Sequence, residues 1–382
     1  MTDALLERSQ GRGGELSCIC DPQPNAAGED SLPPNTAHPP GLLALAAANG
    51  FSIVAQALAL SVLPVAGSLL APRATLGALP FMALLVGAVC GSLPAAYLTT
   101  GMDRRFGFGL GASMGLAGAC IAAWAIAYGK FPVLVLGAFW MGVAQGFGQF
   151  YRHSAATGAR ARNIAMVLGA GALAGLLAPG LVSLARQGFG PLMPSALILM
   201  AGGFYLLVLL ADLTLPEPPL TVSRRSSDAG ISLPTPNFMG ATAAAAVAWF
   251  SMAAIMGGVP LAMTDCGIDS ATQSGLISWH LLAMYLPALG VGYLLSGRSR
   301  LPLLFVGMMM ALASVIALPH VQEGIGFAAL LIAAGLAWSL TNVAATAILH
   351  DQGMPSRRLL AVHDSVILLA AVAGAWGSTL LH

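Results

Sequence analysis

The sequence predicts an all-α polytopic membrane protein with 11 transmembrane helices. Three observations lead there. Of 382 residues, 57% are apolar and 8% charged, against about 45–50% and about 25% in soluble domains. The apolar residues form runs of about 20, enough to cross about 30 Å of hydrocarbon. Lys and Arg gather in alternate connections between those runs. This composition excludes an ordinary soluble enzyme, and outside the first forty residues it excludes disorder, which needs low hydrophobicity and high net charge. A net charge of +1 leaves no electrostatic footprint for nucleic acid. Five scattered cysteines, an odd number, read as free thiols.

Residues 1–40 hold six of the fifteen acids, the pair Cys18 and Cys20, and Pro33, Pro34, Pro39 and Pro40. They are expected to form a disordered cytoplasmic tail, and no apolar segment before the first span suggests a cleaved signal peptide. The spans then follow at 42–70, 76–101, 107–128, 131–155, 163–185, 195–215, 238–263, 273–296, 301–318, 325–349 and 359–380. A Pro-rich stretch at 216–236, with Pro216, Pro218, Pro219, Arg224 and Arg225, is expected to be a cytoplasmic linker. It divides a six-helix half, 41–215, from a five-helix half, 237–382, so a twelfth helix is expected to be missing.

Charge placement checks this segmentation. With the N-terminus inside, the cytoplasmic set is Arg8, Arg12, Arg104, Arg105, Arg152, Arg160, Arg162, Arg224, Arg225, Arg298, Arg300, Arg357 and Arg358; the outer set is Arg73, Lys130 and Arg186. The split is 13 to 3, summing to all 16, and it holds at each cytoplasmic connection. His382 then lies outside. The 46 glycines suit close helix packing in lipid, where no hydrophobic force draws helices together.

Ionisable groups within spans are costly and therefore functional candidates. They are His280, His363 and Asp364, with Arg152 and His153 at the inner end of the fourth span. Asp364 suits a proton site or a structural acceptor; Arg152 and His153 suit lipid phosphate or a cytoplasmic gate. There is no mid-span carboxylate pair, HExxH motif, P-loop lysine or nucleophile elbow, so catalysis is not expected. Sulfur is abundant, with 17 methionines. Met252 and Met256 in the seventh span, and His280 and Met284 in the eighth, are spaced i, i+4 and so share one face of each helix. Two thioethers facing an imidazole and a thioether would form a soft, neutral set suited to Cu(I). Met263 and Cys266, near the outer mouth, could receive the ion first.

Packing is the alternative. Chance gives roughly 0.75 MxxxM pairs at this methionine content, His350 and Met354 repeat HxxxM in a loop, and methionine fills gaps between helices. A histidine bonded to a neighbouring carbonyl would also explain His280. Cys90 and Cys120 are expected as small buried hydrophobes, and Met308, Met309 and Met310 cover too much of a turn to present one face.

The turn Gly101-Met-Asp103-Arg104-Arg105-Phe-Gly107 resembles the motif after the second helix of the major facilitator superfamily. The segments Gln149-Phe-Tyr151-Arg152-His153-Ser-Ala-Ala, Pro260-Leu-Ala-Met263-Thr-Asp-Cys266-Gly267 and Trp279-His280-Leu-Leu-Ala-Met284-Tyr-Leu-Pro287 resemble its CcoA-like branch, from about residue 41 onward. That branch contains bacterial inner-membrane copper importers and relatives that transport riboflavin. The resemblance implies a major facilitator fold and places Met252, Met256, His280, Met284 and Cys266 on copper positions. Phe108 and Gly109 replace the basic residues that usually follow the turn, and Ala244 and Ala248 stand where further cysteines can occur.

The expected function is import of Cu(I) across the bacterial inner membrane for cytochrome oxidase assembly. Copper is the transported substrate, with no cofactor. Asp103, Arg104 and Arg105 are the expected gate, and a membrane potential would favour entry by about 2.3 kcal/mol per charge per 100 mV. The expected partners are the copper ion, the lipid bilayer and a cytoplasmic or periplasmic copper chaperone, with no nucleic acid. The first alternative keeps the fold and carries a flat organic molecule such as riboflavin. It requires an aromatic-lined cavity drawn from Trp140, Trp249, Trp279 and Trp338. The second is a non-transporting membrane copper sensor or assembly factor.

Overall fold

The structure is a computed structural model that describes residues 41–101, 103–156, 160–216, 234–294, 299–351 and 355–379. The expected tail with Cys18 and Cys20, most of the expected linker, Gly297, Arg298, Met354 and His382 lie outside the described residues. The described chain is helical: α1 (Leu42–Leu70), α2 (Leu79–Gly101), α3 (Arg104–Ala127), α4 (Phe131–Gly148), α5 (Phe150–Ser154), α6 (Arg160–Gly169), α7 (Ala172–Phe189), α8 (Met193–Leu213), α9 (Pro236–Asp265), α10 (Ser270–Leu294), α11 (Leu301–Ala317), α12 (Gly324–Leu349) and α13 (Arg357–Thr379). In hydrocarbon the backbone must satisfy its own hydrogen bonds, and helices do so within each segment.

Ten apolar runs among the described residues are long enough to cross a membrane, and one, Arg160–Leu213, contains 54 residues. At 1.5 Å per residue that is about 80 Å of helix, more than two crossings need. It turns at Gly190, whose φ of 48° is left-handed, so α7 and α8 are separate crossings. The expected fifth span at 163–185 begins earlier and ends later, at Arg160 and Phe189, and carries a step at Ala170 and Gly171. There the amides of Gly171, Leu173 and Ala174 bond to carbonyls three residues back, a locally tightened turn. An added Cβ at Gly171 would stand 2.5 Å from the Tyr285 ring, so α10 packs closely against the step.

Helices α1–α8 pack chiefly among themselves, as α2 on α4, α3 on α4 and α8, and α1 on α7 and α8; α9 packs on α13, α12 and α11, and α10 and α11 on α12. Across the two groups α2 meets α13, while α6 and α7 meet α10. If the later spans repeat the earlier ones at an offset of six, the contact of spans two and eleven maps onto that of spans eight and five. The two bridges are then one contact made twice.

Small residues set the closest approaches. Gly87 and Gly91 of α2 face Gly142 and Gly146 of α4, two i, i+4 pairs against each other's backbone, and a Cβ at Gly91 would lie 2.5 Å from the Val143 carbonyl oxygen. Outward faces instead carry large apolar groups such as Leu69, Leu176 and Ile316, as a lipid solvent permits. Cys90 and Cys120 also lie exposed on this outer surface. This corrects the expectation that they are buried: a cysteine on an all-apolar helix can face lipid as readily as protein.

We predict that Gly91→Val lowers the melting temperature in detergent, since overpacking costs about 1–3 kcal/mol. Gly203→Val, with nothing within 4 Å of the added carbon, should leave it unchanged. Equal melting of both variants would remove the close α2–α4 contact from the account.

Candidate functional site

The fourth span ends in a short helix that faces two ways. After α4 closes at Gly148, the five residues of α5 are all buried. Tyr151 stacks on Phe108 with ring centroids 4.3 Å apart, and its O–H donates to the Asp212 carboxylate at 3.0 Å. Those contacts tie α5 to α3 and α8. The next two residues face the later helices. The Arg152 guanidinium donates to Asn342 Oδ1 of α12 at 2.7 Å and to the Asp364 carboxylate of α13 at 2.6 Å. The side chains of Arg152 and Asp364 are 1% and 0% exposed, so each charge is held by the other.

Histidines extend this joint. His153 Nε2 lies 3.2 Å from the Asp364 carboxylate, and His153 Nδ1 lies 3.1 Å from His350 Nε2. A neutral imidazole carries one ring proton. With His153 Nε2–H donating to Asp364, His153 Nδ1 accepts, and His350 Nε2–H is its donor. Beside them His363 Nδ1 pairs with the Thr242 hydroxyl of α9 at 2.9 Å. His350, just beyond the end of α12, is pushed down to about 2 by burial and by the nearby His153, Arg160, His363 and Arg152, so it is neutral at physiological pH. Arg160 donates to the His350 carbonyl at 2.8 Å, and Ser92 of α2 meets Ser365 of α13 at 2.7 Å.

One face of α12 continues from this joint into an aromatic set. Trp338, Asn342 and Thr346 are spaced i, i+4, and all are buried. Trp338 lies edge-on to Trp249 of α9 at 5.5 Å and to Tyr285 of α10 at 5.3 Å. Both indole N–H groups are buried without a hydrogen-bond partner, as are Gln145 Oε1, Asn342 Nδ2 and Thr346 Oγ1. Spans four and ten are separated by an even number of crossings and run the same way. Gln145, on α4 before the break, lies outward of Arg152, and Trp338 lies outward of Asn342. A buried polar atom without a partner costs about 1–3 kcal/mol. The two indole N–H groups at this aromatic corner of α9, α10 and α12 are such unpaired donors, and Asn342 Nδ2, one turn from Trp338, is another.

The expected copper residues are placed differently. His280 Nδ1–H donates to the Leu331 carbonyl of α12 at 2.7 Å, leaving Nε2 buried and without a partner. Met284 is buried in the main core, to which Met252 packs, whereas Met256 packs on a separate cluster containing Met263, Ile255 and Phe327. Helices α9 and α10 barely touch, because each packs on α12 instead. Met252 and Met284 thus belong to one cluster and Met256 to another. Met263 is fully buried, and Cys266, at the end of α9, is exposed. No group of three or more His, Cys, Asp or Glu among the described residues could hold a metal ion.

At the expected gate, Asp103 caps α3 by accepting from the Arg105 amide at 3.0 Å, and Arg105 Nε donates to the Leu215 carbonyl beyond α8. These contacts stay within α1–α8; polar contacts that cross between groups at this end include those of Arg152, His153 and Arg160. Of the four expected tryptophans, Trp249 and Trp338 meet, Trp140 is half-buried and Trp279 is 61% exposed.

Removing one partner of a buried ion pair costs about 3–5 kcal/mol. Arg152→Gln should therefore melt well below the wild type, and Arg152→Gln with Asp364→Asn should recover at least half the loss. A double variant less stable than Arg152→Gln would contradict the pairing.

Comparison with known proteins follows this geometry. No family model matches the chain. It is 29% identical over 357 residues to the riboflavin transporter RfnT of Brucella anthropi, covering 86% of this chain and 87% of the relative. The human organic anion transporter MFSD10 superposes with a TM-score of 0.67 at 12% identity, over 90% of this chain and 93% of that one. The xylose transporter XylE from E. coli, in a partially occluded inward-open conformation, gives 0.67 at 15% identity, over 89% and 91%. The fold is that of the major facilitator superfamily.

Proposed function

We propose that the chain is a multi-pass membrane transporter of major facilitator type whose cargo is a flat, hydrogen-bonding aromatic molecule of the riboflavin class. The observation that carries this reading is the Trp249–Trp338–Tyr285 corner, whose indole N–H groups are buried without partners one turn from the unpaired Asn342 amide. Aromatic faces offer stacking, and the unpaired N–H and amide groups offer in-plane hydrogen bonds; a heteroaromatic ring with edge carbonyls and ring nitrogens uses both. A soft monovalent cation uses neither. The likeness to a protein named a riboflavin transporter supports the same cargo over most of the chain. Copper import, expected from the methionine and histidine spacing, has no comparable support, because those residues are distributed over two helices that barely touch.

The charge asymmetry of the connections supports a cytoplasmic N-terminus and places the Arg152–Asp364 joint at the cytoplasmic end. In that orientation the aromatic corner lies outward of the joint, so a guest arriving from outside meets it while the inner end is closed. Alternating rocking of the two helix groups would then expose the guest inward.

Uptake of labelled riboflavin into proteoliposomes tests this. Trp338→Ala and Trp249→Ala should each reduce uptake at least about tenfold, equivalent to about 1.4 kcal/mol. Met252→Ala and His280→Ala should stay within about twofold of wild type, a difference of about 0.4 kcal/mol. Wild-type vesicles that accumulate Cu(I) and exclude riboflavin would overturn the proposal.

A further inference from the structure

Among the described residues the ionisable groups buried between the two helix groups converge on one joint, and recognition of a neutral aromatic guest does not require them. We propose that Asp364, with His153 and His350, is a proton-binding site whose occupancy alternates with closure of the inner end: empty when the joint is made, occupied when it is parted. The proposal rests on the chain being a carrier that rocks, and is independent of its cargo.

The argument starts from pairing. In the closed arrangement Asp364 is a carboxylate held by Arg152 at 2.6 Å and by His153 at 3.2 Å. Arg152 and His153 sit on α5, and Asp364 on α13. Any movement that parts the first helix group from the second at this end takes both donors away together. A carboxylate stranded without its cation binds a proton more tightly than one so paired. The parted state therefore has the higher proton affinity, and by linkage a lower pH favours it.

Charged and titratable groups face the site from several elements, with Tyr285 of α10 near Arg152 and Asp351, beside His350, paired with Arg300. From α5 come Arg152 and His153; from the end of α12, His350; from α13 itself, His363; from α6, Arg160 through the His350 carbonyl. From α9 and α2 the contacting groups are the hydroxyls of Thr242 and Ser92. Asp364 is the one acid in the cluster, so its proton is the one that closure must displace.

The imidazoles also supply the route. While Asp364 holds its proton, His153 and His350 carry theirs on Nδ1, the reverse of the closed joint; on closure the Asp364 proton passes to His153 Nε2, His153 Nδ1–H hands its proton to His350 Nε2 and His350 Nδ1–H releases one, which leaves the closed-joint tautomers. Each ring gives up one proton and gains one, so the chain conserves charge. His350 Nδ1 is buried without a protein partner, and its neighbour Asp351 is 40% exposed at the end of the helix. The discharged proton leaves on the cytoplasmic side in the proposed orientation.

Ser92 and Ser365, 2.7 Å apart across the same interface, give a cargo-free reading of closure. In a background with the native cysteines replaced by serine, Ser92→Cys with Ser365→Cys should crosslink readily at about pH 8 and at least about threefold less at about pH 6, a window spanning the ordinary imidazole value. Asp364→Asn carrying the same pair controls for thiol chemistry and should lose that difference. Should Asp364→Asn not purify as a monodisperse protein, His153→Gln and His350→Gln are each expected to flatten the pH dependence. A wild-type background with no pH dependence beyond that of Asp364→Asn, or both histidine variants keeping the full wild-type response, would overturn the proposal. Riboflavin uptake is a separate measurement, so failure of the cargo assignment leaves this result readable.

Discussion

A buried charge must keep its partner, and in this molecule the partner is on the other side of the interface. Arg152 and Asp364 are both sealed from solvent, and separating them in hydrocarbon costs several kcal/mol unless something replaces the lost charge. Much of the architecture can be read from that requirement. The break after Gly148 allows α5 to turn, so Tyr151 anchors the short helix to Asp212 and Phe108 while Arg152 and His153 project away from them. Asn342 fixes the guanidinium from α12, and Ser92 holds α13 beside α2.

The same constraint sets where a guest can sit. Immediately outward of the ion pair, the face of α12 that carries Asn342 carries Trp338, and the aromatic corner closes with Trp249 and Tyr285. The proposed binding and closing groups thus share one helical stripe, Trp338 one turn from Asn342. The Gly87, Gly91, Gly142 and Gly146 contact keeps α2 and α4 as one body, so motion is directed to the bridges of α2 with α13 and of α6 and α7 with α10.

The crossings were legible because composition, run length and charge asymmetry speak about solvent, and solvent is uniform along each span. Arg152, His153 and Asp364 were each visible as costly intramembrane groups, but their meeting was not, since 212 positions separate Arg152 from Asp364. Gln145, Asn342 and Thr346 do not stand out in the sequence because a neutral polar side chain carries no charge to mark it, and its cost depends on whether the fold gives it a partner. Their signal was the i, i+4 register with Trp338 on an otherwise apolar span. The methionine pairs show the opposite limit: spacing fixes which face of one helix a residue occupies and says nothing about which helix that face meets. His280 faces the Leu331 carbonyl on α12 rather than α9. At the turn expected as a gate, the Asp103 side chain caps α3, a role its position before a helix start makes legible.

The claim on which the functional account rests is that a flat aromatic guest lies against Trp249 and Trp338. Riboflavin fluoresces, and stacking on an indole quenches it, so titrating the purified protein into riboflavin and following the emission tests the claim directly. The account predicts a saturable loss of flavin emission with wild type that is largely abolished by replacing Trp249 and Trp338 with leucine, and preserved when the exposed Trp279 is replaced instead. Unchanged quenching after loss of both buried tryptophans, or none with the wild type, would contradict it.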